Sequence, residues 1–293
     1  MTQLDQRIRL RQSYLAPEAF HTREQTDELY AVPHVNFPEW VLSRHTQRRG
    51  DERVLDIGAA YGVYYQLAPR FFPNGAYYPA EWSTNLLSSF HQQPATPGCC
   101  GLVGSPAKLP FAADTFDVVL ANDMLYHLPD VAAAINEVHR VLKPTGVLIA
   151  ATHSRFTMAE FDTLTRRTLT LLGHPPADNT SHFGLFLQNF DLEVGSILLA
   201  RKFRAVMRHD MPGTLVFKEA KPVIDFLNSS RAAREPYLPE AVQWEDFIAV
   251  MADQVRRLIS HFGELTINRL SGVLLAADSG SFAKDYFDIL DGR

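Results

Sequence analysis

The sequence predicts an α/β fold built on a parallel sheet that is covered on both faces. Between Arg53 and Ile149, short apolar runs alternate with segments of helical period. Several of those runs, such as Phe116–Ala121 and Val147–Ala151, are continuously apolar instead of alternating, as strands buried on both sides read. One of them, Arg53–Ile57, runs directly into a tight turn and a helix start at Gly58 to Gly62. The elements follow in order. Arg53–Ile57 is a strand and Gly62–Phe72 a helix; Ala76–Ala80 is a strand and Thr84–His91 a helix. Gly101–Gly104 is a short strand and Phe116–Ala121 a buried one. Val131–Leu142 is a helix, stopped by Lys143-Pro144-Thr145-Gly146, and Val147–Ala151 closes the series.

Outside this series the chain divides into three further regions. Residues 1–48 read as polar and helical, with an aromatic cluster from Tyr30 to Trp40; residues 49–153 hold the alternating core. Residues 154–239 loosen into helical segments rich in Phe and Leu, broken at Gly173-His174-Pro175-Pro176 and Met211-Pro212-Gly213. Their apolar content is too high for a linker, so they read as a helical cap over the carboxyl edge of the sheet, where open α/β sheets bind ligands. Phe156, Phe161, Phe183, Phe186 and Phe190 are expected in the core of that cap. Residues 240–293 supply an amphipathic helix, Trp244–Phe262, and a last strand segment, Glu264–Ala277.

The bulk numbers exclude several classes. In 293 residues, 46% are hydrophobic and 21% charged, the balance of a globular chain, and a net charge of -5 gives no electrostatic reason to seek nucleic acid or anionic membrane. The polar start MTQLDQRIRL does not read as a signal peptide, and no run approaches the length of a membrane span. The two cysteines, Cys99 and Cys100, are adjacent and ill placed to crosslink, which fits a reducing cytoplasm. No H-E-x-x-H, paired C-x-x-C or close histidine cluster suggests a metal, and there is no nucleophile elbow or triphosphate loop.

The densest local signal is Val54-Leu55-Asp56-Ile57-Gly58-Ala59-Ala60-Tyr61-Gly62. Small residues at 58, 60 and 62 let backbone approach a ligand and leave helix N–H groups free to meet it. The glycine spacing is not that of a dinucleotide site, since positions 60 and 63 are Ala and Val. Asp56 suits a cationic amino group. Glu81, closing the second strand, suits both hydroxyls of a ribose, although a solvated helix-start glutamate is an equal reading.

Four further runs complete a pattern: Leu109-Pro110-Phe111, Phe116-Asp117-Val118-Val119, Leu125-Tyr126-His127-Leu128, and Glu137 through Gly146 (EVHRVLKPTG). Together with the glycine turn they resemble the class I S-adenosylmethionine-dependent methyltransferases, in the branch with the ubiquinone/menaquinone-biosynthesis and related small-molecule enzymes. The resemblance spans about residues 50–152, and more loosely 182–278 through Asn189 to Gly195 and Ser271-Gly272-Val273. It implies a Rossmann-like, doubly wound, mostly parallel seven-stranded sheet, with S-adenosyl-L-methionine as cofactor and S-adenosyl-L-homocysteine as product. It also implies Asp56, Gly58 and Gly62 around the methionine moiety, Glu81 on the ribose, Trp82 beside the adenine, and Asn122 and Asp123 near the transferable methyl. Two positions depart from the family pattern: Ala60 replaces the middle glycine of the turn, and Ser105 stands where an acidic residue would contact the adenine amino group.

The function this implies is methyl transfer to an O, N or C nucleophile of a small, apolar or aromatic metabolite. The alternative is a non-methylating protein on the same fold; an RNA methyltransferase fits the acidic balance poorly. His127, close after the fourth strand, is the candidate general base, with a packing or capping role as its equal rival. Arg201-Lys202-Phe203-Arg204 and Arg208 read as a solvated strand edge or as a grip for an acidic substrate.

Overall fold

In the computed structural model, residues 16–81, 102–103, 105–176, 187 and 189–279 are described. The chain forms α1 (Pro17–Tyr30), β1 (Ala31–Val32), α2 (Phe37–Ser43), β2 (Arg53–Ile57), α3 (Val63–Phe71), β3 (Ala76–Glu81), β4 (Leu102–Val103) and β5 (Phe116–Leu120). A short 3₁₀ turn (Leu125–His127) then leads to α4 (Val131–Val141), β6 (Leu142–His153), α5 (Ala159–Leu171), α6 (Leu192–Ala200) and β7 (Ala205–Phe217). The chain continues through α7 (Ala220–Ser229), α8 (Arg231–Arg234), α9 (Trp244–Phe262) and β8 (Leu265–Ala277). Among the described residues one eight-stranded sheet has the order β1-β7-β8-β6-β5-β2-β3-β4. The β1 strand, only two residues long, is an addition to the seven strands expected. No described helix is long and apolar enough to cross a membrane.

The pairs β2·β3, β2·β5, β3·β4 and β5·β6 are parallel, as the unbroken apolar runs predict. From β2 the chain steps outward to β3 and β4, then returns to β5 on the other side of β2. Right-handed crossovers therefore put α3 and α4 on opposite faces, and the reversal leaves a crevice between the carboxyl ends of β2 and β5. One core gathers Tyr65, Ala68 and Phe71 of α3 onto Val54, Val118, Leu120, Val147, Ile149 and Ala151 of the sheet. Val131, Ala134, Ile135, Val138 and Val141 form the buried stripe of α4, a helix capped by Asp130, whose carboxylate accepts the Ala133 N–H at 2.9 Å.

Two compact units divide the chain. One comprises residues 36–153, 188–210 and 272–293; the other comprises residues 1–35, 154–187 and 211–271. The second has its own core, in which Phe161, Leu164 and Leu169 of α5 meet Phe226 and Leu227 of α7 and Phe247, Met251 and Val255 of α9.

Three expectations are corrected. The segment around Met211-Pro212-Gly213 is no helix break but the middle of the 13-residue strand β7. That strand is bordered by β1 through Leu215 and Thr214 alone, and a proline is tolerated where a ladder partner is missing. Arg201–Arg204 form the turn between α6 and β7 and not a strand edge. Of the expected cap aromatics, Phe161 is fully buried in the second unit, whereas Phe156 is exposed in the turn before α5. Phe190 is buried instead within the sheet unit, against Gly195. Phe183 and Phe186 lie outside the described residues, as do Cys99, Cys100 and the helix expected over Thr84–His91.

Candidate functional site

The parallel strands β2, β3, β5 and β6 deliver Asp56, Glu81, Asn122–Asp123 and His153 to one edge of the sheet. The turn after β2 is fastened to the end of β3: Gly58 N–H donates to the Ala80 carbonyl at 2.7 Å, and Ala60 N–H donates to the Glu81 carboxylate at 3.2 Å. Gly58 and Gly62 adopt φ of 78° and 72°, conformations that glycine enters freely. Ala60 takes φ of 44° between them, so the residue that departs from the family pattern holds a left-handed backbone at a cost of about 1 kcal/mol.

Asp56 is buried and accepts a hydrogen bond from the Tyr77 hydroxyl. Sequence reasoning missed Tyr77, and the register explains it. Val54 pairs with Tyr77 and Asp56 with Pro79, so period-two alternation puts Tyr77 on the face that Asp56 uses. Tyr64, on the first turn of α3, was also missed. Burial, then Asp123 and Asp56, hold its hydroxyl well above the usual phenol range.

The loop after β5 is equally determined. Asp123 N–H donates to the Ala151 carbonyl at 2.9 Å, and the Asn122 side-chain oxygen accepts the Ala151 N–H at 2.8 Å. This second bond fixes the amide orientation and leaves Nδ2 pointing elsewhere. Asn122 is 8% exposed, and its Nδ2 has no hydrogen-bond partner among the described residues. A buried amide donor without a partner costs about 1–3 kcal/mol, which a ligand carbonyl or carboxylate would offset.

His127 ends the 3₁₀ turn, 7% exposed, with its backbone N–H on the Met124 carbonyl at 3.0 Å. Ser105 is exposed in a turn after β4, its hydroxyl accepting the Ala107 N–H at 3.3 Å. Trp82 lies outside the described residues.

The remaining motif residues make the scaffold and not the crevice. Arg140 donates to Glu137 and to the carbonyls of Leu109 and Phe111 at 3.1 and 2.9 Å, while Glu137 accepts the Leu109 N–H at 2.8 Å. Asp117 is held by Lys143, Arg49 and the Arg53 N–H. Burial alone would raise the Asp117 pKa, but those donors outweigh it and lower it. The Lys143–Gly146 run, expected to stop the helix, is instead the start of β6, where its pairing with β5 shifts register, and a Cβ at Gly146 would stand 3.0 Å from the Phe116 carbonyl.

A family model described as a methyltransferase domain matches residues 55–150. That stretch is a class I S-adenosylmethionine-dependent methyltransferase domain. The chain is 34% identical over 104 residues to an uncharacterised methyltransferase of Schizosaccharomyces pombe, covering 32% of this chain and 37% of the relative. To a demethylmenaquinone methyltransferase of Geobacillus kaustophilus it is 29% identical over 132 residues, covering 44% and 56%. The chain thus spans between about a third and just over half of the length of these relatives. Beyond the methyltransferase domain, the fold is shared with a Haemonchus contortus phosphoethanolamine N-methyltransferase, at a TM-score of 0.50 and 16% identity over 83% of this chain and 52% of that one. It is shared as well with the [4+2]-cyclase SpnF, at a TM-score of 0.50 and 15% identity over 82% and 80%.

Proposed function

We propose that the chain binds S-adenosylmethionine in the crevice between β2 and β5 and transfers its methyl group to a small-molecule acceptor. The supporting observation is the buried Asn122 amide, whose Nδ2 has no partner among the described residues, at the same sheet edge as the carboxylates of Asp56 and Glu81. In this reading Asp56 meets the cationic amino group and Glu81 the ribose hydroxyls, while Gly58, Ala60 and Gly62 give backbone room. Trp82 and Ser105 flank the adenine, and Asn122 and Asp123 line the methyl side. When bound, the cofactor supplies an electrophilic methyl on a sulfonium. The chain's own contribution is to place the acceptor in line and exclude water. The net charge of -5 favours a small acceptor over RNA.

Titration calorimetry with S-adenosylhomocysteine tests the pocket. Asp56→Ala and Glu81→Ala should each weaken binding about tenfold or more, since charge-assisted hydrogen bonds are worth about 1.5–3 kcal/mol. No binding by the wild-type chain, or wild-type affinity in both variants, refutes the site. A second reading, a non-methylating catalyst, is favoured by Ala60 at its strained φ and fits a fold also found in a cyclase. Binding without any methylated product from a panel of phenol, amine and carbon-acid acceptors would select it.

A further inference from the structure

The carboxyl edge of the sheet holds a second imidazole, which sequence reasoning passed over. His153 is the last residue of β6, and its Nε2 lies 3.4 Å from Oδ1 of Asp123. The His153 side chain is 33% exposed, against 7% for His127, so of the two it is the one a solute can reach. Phe37 stacks on its ring at 6.3 Å and 22°, and Trp40 stacks on Phe37 at 5.9 Å and 17°. Both rings are half-buried against the sheet core. The guanidinium of Arg44 covers the Trp40 ring at 5.1 Å. The charged and titratable groups around this stack are Asp123, the Tyr64 hydroxyl that Asp123 influences, and Arg44 with its neighbour His209.

An aromatic stack ending in a carboxylate-backed imidazole suits a flat ligand carrying one ionisable hydroxyl. The faces of Phe37 and Trp40 are engaged within the stack, so a flat partner meets their edges in the edge-to-face arrangement that aromatic rings also favour, and the imidazole is the group in the stack built to take a proton. The 3.4 Å separation is long for a hydrogen bond, as catalytic contacts often are before ligand binding tightens them. We propose that an aromatic hydroxyl acceptor seats against Phe37 and Trp40, and that His153, oriented by Asp123, takes its proton during methyl transfer. The assignment rests on the methyl-transfer reading and replaces His127 as the base. In that step the hydroxyl proton passes to the imidazole, and the oxygen lone pair forms the new bond to the methyl carbon. The carbon–sulfur electron pair returns to sulfur. The positive charge lost at the sulfonium reappears on the imidazolium, where the carboxylate of Asp123 offsets it. His153 is thus a catalytic residue and Asp123 a positioning one.

The test uses 4-nitrophenol, whose coloured phenolate reports proton transfer without turnover. It is titrated into the full chain with and without S-adenosylhomocysteine, whose own binding is measured separately by calorimetry. With the wild-type chain, the bound probe should show about a tenfold higher phenolate-to-phenol ratio than free probe at the same pH, the effect of a one-unit change in acidity. His153→Asn should abolish that enrichment while leaving the circular dichroism spectrum intact, and Trp40→Ala should weaken probe binding about tenfold through the lost ring contact. The proposal is overturned if the wild-type chain does not bind the probe, or binds it without phenolate enrichment. It is overturned equally if the enrichment survives His153→Asn or disappears in His127→Asn instead. Failure of S-adenosylhomocysteine to bind would count against the methyl-transfer reading alone, because the probe result without it still decides the role of His153.

Discussion

His45 offers a sharp connection between burial and pH. It follows α2, is buried, and its Nδ1 has no hydrogen-bond partner among the described residues. Burial, then the positive charges of Arg48 and Arg49, push its pKa down to about 4, against an opposing pull from Glu52. An unfolded chain holds the same imidazole near pH 6.5. As pH falls below 6.5 the unfolded state takes up a proton that the folded state refuses, so stability drops until the folded pKa is passed near 4. Over that window the loss reaches about 3 kcal/mol, from about 1.4 kcal/mol for each unit between the two pKa values. Urea denaturation at half-unit steps from pH 7.5 to 4 should show this decline for the wild-type chain. In His45→Gln the titrating group is gone, so the two stability curves should converge by about 3 kcal/mol as the pH is lowered. Parallel curves would show that the folded protein protonates His45 without penalty and would refute the reasoning.

Two scaffold substitutions are equally direct. Arg140→Ala removes donors from Glu137, Leu109 and Phe111, and should cost about 2 kcal/mol in urea denaturation, reduced by the partial exposure of the arginine. Arg140→Lys should not restore it, because a single ammonium cannot serve two carbonyls and a carboxylate in the plane of a guanidinium. Gly272→Ala places a Cβ 2.6 Å from the His209 carbonyl and about 3 Å from Leu192, and should lower stability by about 1–3 kcal/mol. A gain in Tm would show that the backbone yields there.

The alternating core was legible because two-sided burial writes an unambiguous signal. Arg53–Ile57 and Trp244–Phe262 are found within the bounds the sequence predicts, and Phe116–Leu120 is buried at every position. The candidate cofactor residues were legible for a related reason, as each sits where an apolar strand ends. What escaped depends on partners far along the chain. The β7 strand has few unbroken apolar runs and a proline in the middle, and only its neighbours in the sheet make it a strand. Tyr77 and Tyr64 earn their places through register and helix phase, which no local motif marks. His153 is two residues beyond an apolar run already recognised, and its pairing with Asp123 appears only when β5 and β6 lie side by side.

The clamp formed by Leu109, Phe111, Glu137 and Arg140 bears on how such chains diversify. Two of the runs that make the domain recognisable, at Leu109–Phe111 and Glu137–Arg140, brace a loop against a helix, and neither they nor Phe37, Trp40 and His153 depend on one another. A descendant can therefore exchange Phe37, Trp40 or His153, and with them its chemistry, while keeping every letter by which a search would find it. Kinship traced through these runs measures inherited architecture, and a change of reaction would leave it untouched.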